Sequence, residues 1–211
     1  MEPGKLIIFD LDGTLVDSCM DLATAVNLMR AHFGLPALAL ETIRGFVGNG
    51  VKMLVTRALE GTGIDVDDAL KVQMPLYLAH AVEKTALYPG VHEGLARLRE
   101  RGYRLAVATN KPAESCDLIL THLGIFDWFM AVMAAGRCPV LKPAPDMIES
   151  LMGSAGVAPE NTWVVGDNYT DLEAARRAGA NSVFVTYGYG TPGNETPTRR
   201  CDTFEALLDI I

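Results

Sequence analysis

Leu6-Ile7-Ile8-Phe9-Asp10-Leu11-Asp12-Gly13-Thr14-Leu15 is the stretch from which the rest of the chain is read. Leu6 to Phe9 form an apolar run with no polar break. That pattern predicts a short strand buried on both faces of a parallel sheet. The run stops at Asp10, and a second carboxylate follows at Asp12. Residues i and i+2 of an extended segment point the same way, so both carboxylates can serve one site. Open α/β sheets bind ligands at the carboxyl ends of their strands, where this pair falls. Gly13 allows the sharp turn and close backbone approach such a site needs.

Downstream of this stretch the texture is helical. Asp17-Ser18 is a helix-start signal, and Leu22, Ala25, Val26, Met29 and Phe33 recur at helical spacing until Gly34. Further helices are expected over 41–46, 51–59 and 67–82, with Pro75 kinking or bounding the last. No convincing strand lies between Val16 and Lys84, so residues 16–83 read as a helical insertion. Residues 1–15 and 84–211 then form the α/β domain, with hinges near 15–17 and 83–89. From Tyr88-Pro89-Gly90 strands alternate with helices again. Strands are expected at 103–108, 128–134, 162–167 and 182–185. Helices are expected at 91–101, 113–123, from the Lys142 loop to 154, and at 172–178 and 204–211. This rhythm predicts a doubly wound parallel sheet.

The strand ends carry a consistent chemistry. Thr109-Asn110 follows the second strand, Lys142 sits in the Pro-framed loop Lys142-Pro143-Ala144-Pro145, and Asp167 and Asp171 follow the fourth. Taken singly these are an ordinary turn, a solvated lysine and a helix cap. Together they suit phosphoryl transfer. Carboxylates are the hard oxygen ligands Mg²⁺ prefers, while Lys142 and the Thr109 hydroxyl can stabilise phosphate oxygens.

In its motifs and their order the chain resembles the haloacid dehalogenase-like phosphohydrolases. The resemblance implies a Rossmann-like core with a C1-type helical cap inserted after the first strand. It implies Asp10 as nucleophile and metal ligand, and Asp12 as general acid/base that lends its backbone carbonyl to the metal. It further implies Thr109, Asn110 and Lys142 at the phosphate, Asp167 on Mg²⁺, and Asp171 in support of the site. Dehalogenating members lack the acid/base at the position of Asp12, so its presence implies phosphate-ester chemistry. Thr14-Leu15-Val16-Asp17-Ser18, Val47-Gly48-Asn49-Gly50 and Tyr187-Gly188-Tyr189-Gly190 resemble the phosphoglycolate phosphatase branch. A carboxylate-bearing substrate would then meet Arg44, Gly48, Asn49 and Gly50 in the cap. One alternative is a β-phosphoglucomutase-like phosphotransferase, for which Arg44 or Lys52 would hold a second phosphate. From another class, a phospho-acceptor signalling module remains open.

Composition bounds the partners. With 26 acidic against 18 basic residues the formal charge is -8, which disfavours nucleic acid. The four cysteines show no zinc spacing and read as reduced thiols. No apolar run approaches the ~18 residues of a membrane span, and no signal peptide pattern precedes the first strand. The expectation is a cytoplasmic enzyme acting on a small phosphorylated metabolite, of undetermined oligomeric state.

Overall fold

The computed structural model describes residues 5–211. The first strand, β1 (Leu6–Phe9), is buried throughout and lies in the middle of the molecule. A tight turn at 10–15 leads to β2 (Val16–Asp17) and then to four helices, α1 (Cys19–His32), α2 (Leu40–Arg44), α3 (Val51–Ala58) and α4 (Val66–His80). The chain returns through β3 (Ala86–Leu87), which pairs antiparallel with β2. The remaining elements are α5 (Val91–Glu100), β4 (Arg104–Pro112), α6 (Ala113–His122), β5 (Ala131–Ala135), α7 (Asp146–Ala155), β6 (Thr162–Gly166), α8 (Tyr169–Arg177), β7 (Asn181–Val185), β8 (Arg199–Cys201) and α9 (Phe204–Ile210). Six strands form one sheet in the order β5-β4-β1-β6-β7-β8. Every pairing in it is parallel.

The unbroken apolar run of β1 is explained by what covers it. Ile7 and Phe9 face one core with Leu95, Leu98 and Phe204, the Phe9 and Phe204 rings stacking at 5.8 Å. Leu6 and Ile8 face the other, against Met147, Ile148 and Leu151 of α7. Leu11, Leu15, Val16 and Leu22 continue the first core into the insertion helices without a break. Among the described residues no helix is long and apolar enough to cross a membrane.

Several boundaries differ from the sequence-based expectation. β4 runs on to Pro112, so Thr109, Asn110 and Lys111 lie on the strand itself. Its register against β5 shifts between Ala108 and Pro112. The segment 128–134 was expected as one strand. Its first part is instead a 3₁₀ turn (Phe126–Trp128), and β5 begins at Ala131. α8 begins at Tyr169 rather than 172, because Asn168 caps it. Pro75 neither ends α4 nor bounds it. A proline at 75 deprives the Lys71 carbonyl of its helical donor, and both residues are exposed, so water can satisfy that carbonyl. β8 was missed because Arg199-Arg200-Cys201 carries the charges typical of a protected edge strand, not a buried run.

Candidate active site

Asp10, Asp167 and Asp171 meet at the carboxyl ends of β1 and β6. One carboxylate oxygen from each lies within 4.8 Å of the others, and all three residues are buried. Lys142 enters from the loop before α7. Its Nζ donates to Asp171 Oδ1 at 2.5 Å and to the Ala108 carbonyl at 2.5 Å. It lies 3.0 Å from Asp10 Oδ1 as an ion pair. Apart from that ion pair, Asp10 Oδ1 has no hydrogen-bond partner. Burial opposes charge on Lys142, but the carboxylates of Asp10 and Asp171 win and raise its pKa.

Each carboxylate is held by local geometry. Gly13 turns with φ +81°, and a Cβ there would stand 2.2 Å from Asp167 Oδ2, so only glycine fits beneath that side chain. Asp167 Oδ2 accepts the amides of Tyr189 at 2.7 Å and Gly190 at 2.9 Å. Its Oδ1 accepts the Thr14 hydroxyl at 3.4 Å. Burial, followed by the nearby Asp10 and Asp171 charges, raises Asp167 to about 7. Asp171 belongs to the capping box of α8, its Oδ2 accepting the Asn168 amide at 3.1 Å. The capping and site-facing readings of Asp171 are therefore both met by one side chain. Burial pushes Asp171 upward as well, against the pull of Lys142.

Three buried carboxylates facing one lysine leave negative charge uncompensated. Asp10 Oδ1, touched only by the Lys142 ammonium, the raised Asp167 and the all-oxygen donor set fit a hard divalent cation such as Mg²⁺. The Asp12 side chain is not part of this group. It faces Lys111, whose Nζ lies 2.9 Å from both Asp12 oxygens, and Ser18 Oγ donates to Asp12 Oδ1 at 2.5 Å. Lys111 also donates to the Tyr77 hydroxyl of α4 at 2.5 Å. Burial works against its charge, but Asp12 and Tyr77 raise its pKa.

Asp10, Asp12, Thr109, Asn110 and Lys111 form one wall of a cavity of ≈ 50 Å³. The insertion forms the other through Leu22, Val47, Val51, Leu54, Gln73 and Tyr77, together with Gly48 and Gly50. Asn110 ties the walls together. Its Nδ2 donates to the Gly48 carbonyl at 3.1 Å and the Lys142 carbonyl at 2.9 Å, and its Oδ1 accepts the Lys142 amide at 2.9 Å. The Asn110 side chain is thus fully engaged with backbone. Gly48 has φ +115°, and a Cβ there would stand 2.5 Å from Asn168 Nδ2, so the insertion loop rests directly on the core.

Of the cap residues singled out from sequence, only Gly48 and Gly50 line the cavity. Asn49 turns away, donating to the Tyr169 hydroxyl at 2.9 Å and accepting from Arg57 at 3.0 Å. The Arg44 guanidinium sits 5.4 Å from the centre of the Tyr189 ring. Sequence reasoning passed over Lys111, Gln73 and Tyr77, and gave Tyr189 no role beyond its place in Tyr187-Gly188-Tyr189-Gly190. Lys111 stood beside a named pair, and its apolar neighbours Ala106-Val107-Ala108 were the one hint that the buried strand continued.

With this geometry in view, the comparisons with known proteins decide the family. Residues 7–185 match the model of the haloacid dehalogenase-like hydrolase family. The chain belongs to that family. A Pseudomonas putida protein named phosphoglycolate phosphatase is 42% identical, the match covering 97% of this chain and 78% of that protein. Another of that name from Nitrosococcus oceani is 36% identical over 100% of this chain and 96% of its own length. In structure the chain is similar to a predicted phosphoglycolate phosphatase from Haemophilus somnus 129pt, with a TM-score of 0.91 at 34% identity. That match covers 100% of this chain and 99% of the other. The chain is therefore an enzyme of the family's phosphatase kind, similar in sequence to phosphoglycolate phosphatases.

Proposed function

We propose that the chain is a Mg²⁺-dependent phosphomonoesterase acting through an aspartyl-phosphate on a small anionic ester, 2-phosphoglycolate first among them. The observation that carries this reading is the meeting of Asp10, Asp167 and Asp171 at Lys142, with Asp12 facing the adjoining cavity. The names of the relatives support the substrate.

Asp10 attacks phosphorus, forming the carboxylate–phosphorus bond as the ester P–O bond breaks. Protonated Asp12 gives its proton to the departing alkoxide, which leaves as the alcohol. The same carboxylate then takes a proton from water as that water attacks the phosphoryl group. Inorganic phosphate departs and Asp10 is restored. Lys142 neutralises charge beside Asp10 throughout, and the Thr109 hydroxyl offers a donor to the phosphate. Asp10, Asp167 and the Asp12 carbonyl would hold Mg²⁺, which when bound would supply charge neutralisation for an anion approaching a carboxylate. Asp171 orients Lys142.

Residues 16–83 act as the cap over a core of residues 1–15 and 84–211, excluding water from the cavity once closed. A mutase reading receives no support from the insertion. Lys52 pairs with Asp67 on an exposed surface at 2.8 Å, and Arg44 lies outside the cavity, so neither is set to hold a second phosphate there. The test is Mg²⁺-dependent phosphate release across a panel of small phosphate esters. Release strongest from 2-phosphoglycolate supports the full reading, and release confined to sugar phosphates overturns the substrate. Release from none overturns the phosphatase.

A further inference from the structure

The cavity wall contributed by the insertion is apolar except at two side chains, Gln73 and Tyr77. They sit one turn apart on α4, and residues i and i+4 share a helix face. Gln73 is 1% exposed, and its Oε1 has no hydrogen-bond partner. Among the described residues its Nε2 makes no hydrogen bond either, and buried amides are almost always paired, so the N–H donors of this amide on the cavity wall mark a contact that an acceptor ligand can complete. Tyr77 accepts from Lys111, which leaves its own O–H proton free to donate into the same space. Lys111 itself has no donor to spare, since its three N–H groups serve the two Asp12 oxygens and the Tyr77 hydroxyl.

We propose that Gln73 and Tyr77 form the subsite that holds the carboxylate of the substrate's leaving group. The inference rests on the phosphatase reading above and assigns its substrate selectivity to α4 rather than to the Gly48-Asn49-Gly50 loop. A terminal amide can rotate to present Nε2–H, and the phenol presents O–H. The pair offers two donors to one carboxylate, while Lys111 supplies the nearest positive charge without leaving Asp12. Leu22, Val47, Val51 and Leu54 close the remaining wall and suit a leaving group with no further polar branch. An ester lacking the carboxylate leaves both donors unpaired against apolar surface, which is the strongest form of discrimination a pocket can make.

The test compares kcat/KM for 2-phosphoglycolate and ethyl phosphate, which share a two-carbon chain and differ in the carboxylate. Wild type, Gln73→Met, Gln73→Glu and Tyr77→Phe are measured at saturating Mg²⁺. Gln73→Met keeps the side chain's shape without its amide, and it lowers the preference for the carboxylate ester by roughly tenfold or more. Gln73→Glu sets like charge against the carboxylate and lowers it further. Tyr77→Phe lowers it by a smaller factor. The inference is overturned if folded Gln73 variants keep the wild-type ratio, or if both esters fall by one common factor, as a purely structural role requires. Wild-type turnover of both esters with no preference overturns it too while sparing the phosphatase. Turnover of neither ester overturns the phosphatase reading and this inference together.

Discussion

The two walls of the cavity are built on opposite principles. The core wall gathers charge at the ends of β1, β4 and β6 and fixes nearly every polar atom. Asp12 is gripped by Lys111 and Ser18 and Asn110 by three backbone bonds, and behind the wall Asp167 is held by two backbone amides. The insertion wall is mostly aliphatic, and the amide oxygen of Gln73 is left unpaired. A wall of fixed charges is organised before substrate arrives, which is how charge developing in a transition state is best met. A wall of apolar surface with few polar contacts instead discriminates among leaving groups. On the proposed reading, chemistry and selectivity come from different segments of the chain.

If that division holds, changes in the core wall cost the most. Asp10→Asn removes the attacking oxygen's charge, and phosphate release falls to background in a steady-state assay while the fold survives. Asp12→Asn retains the carboxamide's size but can neither give nor take the proton, and kcat drops by about 10²–10⁴. A folded Asp12→Asn enzyme with near-wild-type kcat breaks the assignment of acid/base work to that residue. Lys111→Met leaves the Asp12 carboxylate without its cation, and denaturant unfolding registers a loss of about 3 kcal/mol.

The contrast between these residues and the insertion also explains what the sequence disclosed. Asp10, Asp12, Lys142 and Asp167 were legible because each follows a buried strand or sits in a Pro- or Gly-framed turn, and Asp171 because it falls in the first turn of the next helix. The sheet was legible for the same reason, through Leu6–Phe9 and Thr162–Gly166. Lys111 was not, because its meaning comes from Asp12 and Tyr77, 99 and 34 residues away in the chain. Gln73 and Tyr77 lay hidden in helical text, where a lone amide reads as solvent-facing. The loop at 48–50 was legible in part, since Gly48 and Gly50 line the cavity and Asn49 does not. Its glycines permit the close approach to Asn110 and Asn168, but Asn49 packs against Tyr169.

Ionisation of the core wall gives a middle-sized effect. Asp167 has its pKa raised from 3.8 to about 7 by burial and by its neighbours. Between those values the folded state holds a proton that the unfolded state has released, so metal-free stability falls as pH rises through the window. Each pKa unit is worth about 1.4 kcal/mol. Thermal melts without divalent cations therefore decline from pH 5 to pH 7.5, and added Mg²⁺ restores the loss most at the upper end. A metal-free melt flat with pH contradicts the reading of an uncompensated carboxylate cluster.

The smallest effect is expected in the insertion away from the cavity. Asn49→Ala breaks contacts to Tyr169 and Arg57 and costs about 1 kcal/mol in unfolding, with the preference between carboxylate and plain alkyl esters kept. A collapse of that preference in Asn49→Ala returns selectivity to the loop and erases the distinction between α4 and its neighbours.

The central claim is that Asp10 is the atom-transferring group of the core wall. Its most direct test is acid quenching within the first turnover, with enzyme in excess over 2-phosphoglycolate, followed by peptide mass spectrometry. The account predicts the mass of one phosphoryl group on the peptide bearing Asp10, rising and then decaying as phosphate appears. Ester consumed over the same interval with no phosphorylated peptide at any time, or with the group on a different residue, contradicts it.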